Sequence, residues 1–156
     1  MIKLLRIDDR LVHGQVAFTW TPALGIDCLF VANDRVAKDE FLRMTMGLAK
    51  PAGVKLLIRS VGDTITWLNT PANKGQQLLV LVDSVKDAHT LAMGVEDIRS
   101  INFGGIRVKA GAKQVSKAIA LTDGDVSLIR ELLAKGIELE ARQVPTDKKQ
   151  PMENLL

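Results

Sequence analysis

The stretch Arg6-Ile7-Asp8-Asp9-Arg10-Leu11-Val12-His13-Gly14-Gln15-Val16 decides how this chain is read. It joins a largely apolar run, Ile2–Ile7, to a helical pattern that starts near Gln15. Two carboxylates, an arginine, a histidine and a glycine crowd the junction, more polar chemistry than a corner needs. A helix beginning here points unpaired N–H groups back at the loop, which makes an anion site. His13 is one of only 2 histidines, Arg10 precedes it by one short turn, and Gly14 frees the backbone after it. A neutral imidazole, a guanidinium and a helix N-terminus are the parts that hold a phosphoryl group on a histidine. The same residues also suit a solvated turn with a hydrogen-bonded structural histidine, and residue chemistry alone does not choose between the two.

Outward from this stretch, strand-like apolar runs alternate with helical patterns. Strands are expected at Ile2–Ile7, Cys28–Ala32, Val54–Ile58, Leu78–Val82 and Ile98–Phe103, with a short one at Ala118–Leu121 and an edge strand at Ile137–Val144. Helices are expected over Gln15–Leu24, from Asn33 or Asp34 to about Leu48, from Asp63 or Thr64, from Ser84 to Gly94, and from Thr122 to Gly136. Asn33 or Asp34, and Thr122 with Asp125, supply capping side chains, while Pro51, Gly53 and Gly136 are stops. Arg107–Lys117 reads as an extended basic loop, and the tail after Pro145 as loosely held, with Leu155 and Leu156 free to dock. The continuous apolar run Leu78–Val82 fits a strand covered on both faces. The pattern implies one α/β domain over residues 1–156. Its core is an open, mostly parallel twisted sheet of about six to seven strands with helices on both faces.

Composition narrows the function. With 47% hydrophobic and 25% charged residues the chain reads as a globular protein large enough for a substantial core. No apolar run approaches the roughly 20 residues that span a bilayer, and the start lacks a signal-peptide pattern, so a cytoplasmic location is expected. Cys28 is alone in an apolar run, which excludes an internal disulfide and a cysteine metal cluster. A net charge of +3, no tyrosine and 4% aromatic residues argue against nucleic-acid binding. No metal-ligand spacing, Walker loop or GxGxxG occurs, so neither a metal nor another cofactor is expected.

The run Arg6–Val16 resembles the active-site signature of the IIB components of the bacterial sugar phosphotransferase system (PTS), in the mannose/fructose/sorbose/N-acetylgalactosamine family. Pro51–Lys55, Ile101–Gly105 and Val144–Asp147 match further, so the similarity covers essentially the whole chain. The resemblance implies a phosphocarrier enzyme. His13 would accept a phosphoryl group from a phosphohistidine on a IIA component and pass it to a sugar imported by the IIC and IID membrane components. It implies a cytoplasmic protein held peripherally at the inner membrane, and leaves a homo-oligomer open. It also implies strand one near the middle of the sheet, flanked by strands two and four. The loop after strand one then lies at the topological switch point, where an open sheet binds its ligand.

Within that reading His13 is the nucleophile and must be neutral to attack, as an unperturbed imidazole largely is above about pH 6.5. Arg10 either grips phosphoryl oxygens with both prongs or bridges to Asp8 or Asp9. Asp8 and Asp9 are assigned to positioning, since a carboxylate touching the phosphoryl group would repel it; a turn or cap role suits either alone. The backbone N–H groups of Leu11, Val12 and Gly14 line an anion nest. Ser84 donates to a phosphoryl oxygen, caps the following helix, or does both. His89 is structural, Trp20 packs in the core, shields the pocket or faces IIA, Trp67 reads as packing, and the basic set Arg107, Lys109, Lys113 and Lys117 is solvated surface or a docking edge. Two other readings compete. A receiver module needs an acceptor aspartate after strand three, where Ile58-Arg59-Ser60 stands. A hydrolase with His13 as base lacks a GxSxG elbow.

Overall fold

The runs of β-branched and leucine residues form strands wherever they were expected, and helices carry the chain back between the parallel strands of the main sheet, with a short ribbon inserted after the fifth. The computed structural model describes residues 1–156. Its strands are β1 (Ile2–Ile7), β2 (Cys28–Ala32), β3 (Lys55–Arg59), β4 (Leu78–Val82), β5 (Ser100–Phe103), β6 (Ala112–Gln114), β7 (Ala120–Thr122), β8 (Glu138–Ala141) and β9 (Gln150–Pro151). A 7-stranded sheet has the order β3-β2-β4-β1-β5-β8-β9, parallel throughout except that β9 runs antiparallel to β8. β6 and β7 form a separate antiparallel ribbon.

Two apolar layers cover the sheet. A π-helical stretch, Val16–Trp20, runs into α1 (Thr21–Ala23) and lies on one face with α2 (Asp34–Ala37) and α3 (Glu40–Ala49), over Leu4, Leu29, Val31, Leu79 and Leu81. α4 (Val61–Leu68), α5 (Val85–Gly94) and α6 (Asp123–Ala134) cover the other, over Leu5, Ile7, Phe30, Val80 and Val82. β2 and β4, buried at every position, need both layers. Cys28 is one of those buried positions, and burial, then the charge of Asp27, push its thiol up to about 11.

Several elements differ from the sequence reading. β1 lies between β4 and β5, not between strands two and four. β1 and β2 are both apolar on two faces, so periodicity does not say which strands insert beside them. The helix expected from Asn33 or Asp34 to Leu48 is two helices. Asn33 caps the first, accepting the Val36 N–H at 2.9 Å, and Asp39 caps the second, accepting the Leu42 N–H at 3.1 Å. α4 starts at Val61 rather than Asp63, because Ser60 accepts the Asp63 N–H at 3.1 Å. The expected basic loop contains β6. β8 is not an edge, since β9 pairs outside it and Met152, fully buried, fastens the tail to the core. The capping box of α6 is formed as read, with Thr122 and Asp125 exchanging bonds of 3.0 and 3.1 Å.

This topology places the site. The chain leaves β1 toward one face of the sheet and leaves β4 and β5 toward the other, as right-handed crossovers in opposite directions demand. The opening between those connections lies at the carboxyl end of β1, where the Asp8–His13 loop emerges.

Candidate active site

Asp8 and Asp9 extend the strand pairing before the loop begins. The Asp8 N–H donates to the Val82 carbonyl on β4 and the Asp9 N–H to the Gly105 carbonyl beyond β5, each at 2.9 Å. Both carboxylates are therefore fixed by the sheet. The chain then reverses at Leu11, the one non-glycine residue with positive φ, at 55°. A left-handed leucine costs roughly 1–2 kcal/mol, offset here by burying the Leu11 and Val12 side chains in the same layer as Val16 and Trp20. The reversal brings the His13 ring back over Asp8.

The Asp8 carboxylate is completely buried and accepts three bonds. At Oδ2 the His13 Nε2–H donates at 2.9 Å and Arg6 Nη2 at 3.3 Å; at Oδ1 the Arg10 backbone N–H donates at 3.1 Å. Burial pushes the Asp8 carboxyl up, but the bonds from His13 and the Arg10 N–H, with the charges of His13 and Arg6, hold it below the usual carboxylate range. An ionised acceptor at this distance fixes the imidazole as the Nε2–H tautomer and leaves Nδ1 with its lone pair. Nδ1 has no partner in the protein, and the side chain is 14% exposed, enough to be reached from outside. The N–H groups of Val12, His13, Gly14 and Gln15 at the helix start also lack partners. His13 lines neither the depression at Asp9, Asp83 and Arg107 nor the one at Arg142 and Gln143.

The other sequence candidates separate. The Arg10 side chain is 51% exposed, with Nε 3.9 Å from Asp8 Oδ1, beyond hydrogen-bond range, so its guanidinium is available at the mouth. Asp9 does not touch the ring; its Oδ2 accepts the backbone N–H and Nε of Arg107 at 2.8 and 2.9 Å and ties the loop after β5 to the site. The Leu11 N–H is already donated to the Asp8 carbonyl at 2.9 Å, which removes it from the expected nest. Ser84 caps α5, accepting the Asp87 N–H at 3.1 Å. His89 joins α5 to α6 through Glu131 at 3.3 Å, away from the loop.

The sequence reading missed Arg6 and what surrounds it. Trp20, fully buried, lies against both Arg6 and Arg142, with the guanidinium carbons 4.9 and 5.1 Å from its ring centre. Its indole N–H donates to the Gln143 carbonyl at 3.1 Å. A Cβ on Gly104 would fall on the Arg6 guanidinium, so the glycine is required there. The available signal was one arginine on the inward-facing side of an otherwise apolar strand, together with the Asn102–Gly105 stretch.

The model of the family described as "PTS system sorbose subfamily IIB component" matches residues 2–156. The chain belongs to this family of IIB components. It is 36% identical over 156 residues to the mannose-specific EIIAB component of Escherichia coli K12, covering 100% of this chain and 48% of that protein. The chain thus spans about half the length of that relative. It is 40% identical over 139 residues to a probable phosphotransferase enzyme IIB component of Streptococcus pyogenes serotype M6, covering 86% of this chain and 85% of the other. The crystal structure of the IIB domain of the sorbose permease from Klebsiella pneumoniae superposes with a TM-score of 0.94 at 30% identity, over 99% of this chain and 95% of that one. This IIB chain shares their mostly parallel α/β fold.

Proposed function

We propose that this IIB component is a phosphocarrier of a sugar-uptake phosphotransferase system, in which His13 Nδ1 accepts a phosphoryl group from a IIA phosphohistidine and passes it to a sugar. The observation that carries the reading is the 2.9 Å bond from His13 Nε2–H to buried Asp8, with Nδ1 unpartnered and the half-exposed Arg10 in a long ion pair with the same carboxylate. The Nδ1 lone pair forms the new N–P bond as the bond to the donor nitrogen breaks. The Nε2 proton stays in place, and the positive ring that results is held against the Asp8 carboxylate. Onward transfer breaks the same N–P bond and returns its electron pair to Nδ1. Arg10 and the N–H groups of Val12 and Gly14 supply positive charge where the phosphoryl oxygens gather it. Ser84 adds its hydroxyl hydrogen, which capping leaves free.

No helix is long and apolar enough to cross a membrane. In this reading the sugar meets the phosphoryl group through membrane partners, the IIC and IID components, with this chain docked at the cytoplasmic side of the inner membrane. A partly buried histidine with Nδ1 unpartnered suits a nucleophile that is presented to partner proteins in turn. The test is phosphorylation by the general PTS donors and a IIA component, followed by mapping of the labelled residue. The expected label is an acid-labile, alkali-stable phosphohistidine that is absent from His13→Ala and present in His89→Ala. A hydroxylamine-sensitive label, or normal labelling of His13→Ala, would defeat the reading.

A further inference from the structure

The buried charge of Arg6 has no part in the transfer as described, yet it is the most heavily engaged side chain in the molecule. Arg6 lies on β1, fully buried in the layer between sheet and helices. Nη1 donates to Asn102 Oδ1 at 2.6 Å and to the Arg142 carbonyl at 2.9 Å. Nη2 donates to Asp8 Oδ2 and to the Gln143 carbonyl, both at 3.3 Å. Nε is buried without a partner. A buried cation tolerated with an unmet N–H is an expensive way to fill space, since an apolar side chain of similar volume is often as stable.

The surrounding charges show which group the cation serves. Glu140 gives Oε1 to Arg142 Nη2 at 2.9 Å and to Asn102 Nδ2 at 3.0 Å, and Oε2 to Arg142 Nε at 3.0 Å. Both its oxygens are taken, so Glu140 and Arg142 form a closed pair. The groups facing Asp8 are Arg6 from its own strand, Arg10 and His13 from the loop, and, through Arg6 and Asn102, Glu140 from β8 and Arg142 just after it. Of these only Arg6 is a buried permanent cation in contact with the carboxylate. Arg10 is half in solvent and too distant to bond it.

We propose that Arg6 is the positioning residue that keeps Asp8 a hydrogen-bond acceptor and so decides which ring nitrogen of His13 is free to react. Without the guanidinium the carboxylate keeps the Arg10 N–H and the ring but loses its one buried permanent counter-charge, and the relief open to it is to take up a proton. A protonated Asp8 donates to Nε2, the ring proton moves to Nδ1, and the nitrogen left with a lone pair is the one shut against Asp8. Loss of Arg6 therefore switches the tautomer and hides the nucleophile, although Arg6 never touches the phosphoryl group. The inference rests on the reading of His13 as acceptor.

The experiment is nitrogen-15 NMR of the imidazole rings in the unphosphorylated full chain, for the parent, Arg6→Met and Arg6→Lys, with phosphotransfer rates from a IIA component over the same pH range. The parent and Arg6→Lys should show His13 as the Nε2–H tautomer. Arg6→Met should show Nδ1–H at neutral pH and transfer at least about a hundredfold more slowly, as expected for a wrong tautomer, with recovery as pH rises and Asp8 ionises. A folded Arg6→Met protein with the parental tautomer overturns the proposal. Should Arg6→Met not fold, Gly104→Ala displaces the guanidinium without removing it, and an unchanged tautomer there overturns the proposal equally. A label found away from His13 would instead defeat the phosphocarrier reading, and the tautomer spectra, recorded without phosphate, keep the two failures apart.

Discussion

Asp8 and Arg10 differ in surroundings, one fully buried against the His13 ring and the other half exposed. Asp8 has a folded-state pKa below its unfolded value, so its contribution to stability is complete above the ordinary carboxylate range near pH 4. That contribution fades as pH falls through the folded value. Urea unfolding followed against pH should show the parent losing stability below about pH 4 more steeply than Asp8→Asn; parallel curves would mean the carboxylate is not held as described. Asp87 has the reverse sign, because burial and then the charges of Asp83 and Asp34 raise it. Asp87→Asn should stabilise the protein at neutral pH, and the gain should vanish as pH falls through the folded pKa. Arg10 carries no comparable structural duty, being half exposed and 3.9 Å from Asp8. Arg10→Ala should fold normally and transfer more slowly by about 2–4 kcal/mol of barrier, as for loss of one charge-stabilising donor. Arg10→Lys should fall between, keeping the charge but not the planar fork. Rapid-mixing rates with a fixed IIA component decide it; parental rates in both would leave the backbone N–H groups as the sole phosphoryl holders.

At the scale of elements, the caps show what a single sequence reveals. Thr122 and Asp125 were legible as a capping pair because their spacing has one meaning. Thr122→Ala removes the side-chain half of that box and should cost about 1 kcal/mol, measured as a shift of the unfolding midpoint with unchanged transfer rate. The break between α2 and α3 was hidden because apolar positions continue in register through Lys38 and Asp39, and only the cap at Asp39 ends one helix and starts another. The active loop was legible as a polar cluster after a strand, but its division of labour was not. Asp8 and Asp9 are adjacent and chemically alike; one faces inward to Arg6 and His13, the other outward to Arg107, and only the sheet pairing separates them. The π-helical stretch at Val16–Trp20 has no sequence signature at all, yet it sets Trp20 against two guanidinium groups.

Across the whole molecule, the alternation of strands and helices was sufficient for an open parallel sheet, and the reactive loop stands at its switch point as expected. Strand neighbours were not legible, because β2 and β4 are apolar on both sides and β1 carries apolar residues on both beside Lys3 and Arg6. The tail was misread for a different reason. Its sequence is polar and holds a proline, and its anchorage rests on Met152 alone among buried residues there, with Leu155 packing beside it. Proline is tolerated in β9 because that strand is the sheet edge. Met152→Ala should cost about 2–5 kcal/mol, seen in chemical unfolding, and should loosen the Arg142 and Gln143 carbonyls that hold Arg6.

The central claim is that one particular nitrogen of His13 carries the phosphoryl group. Phosphorus–nitrogen coupling in the phosphorylated protein, with the histidine rings labelled with nitrogen-15 and kept at alkaline pH, reads this directly. A single one-bond coupling to Nδ1 of His13, with a proton retained on Nε2, is the predicted result; coupling to Nε2, to His89, or to no ring nitrogen would contradict it.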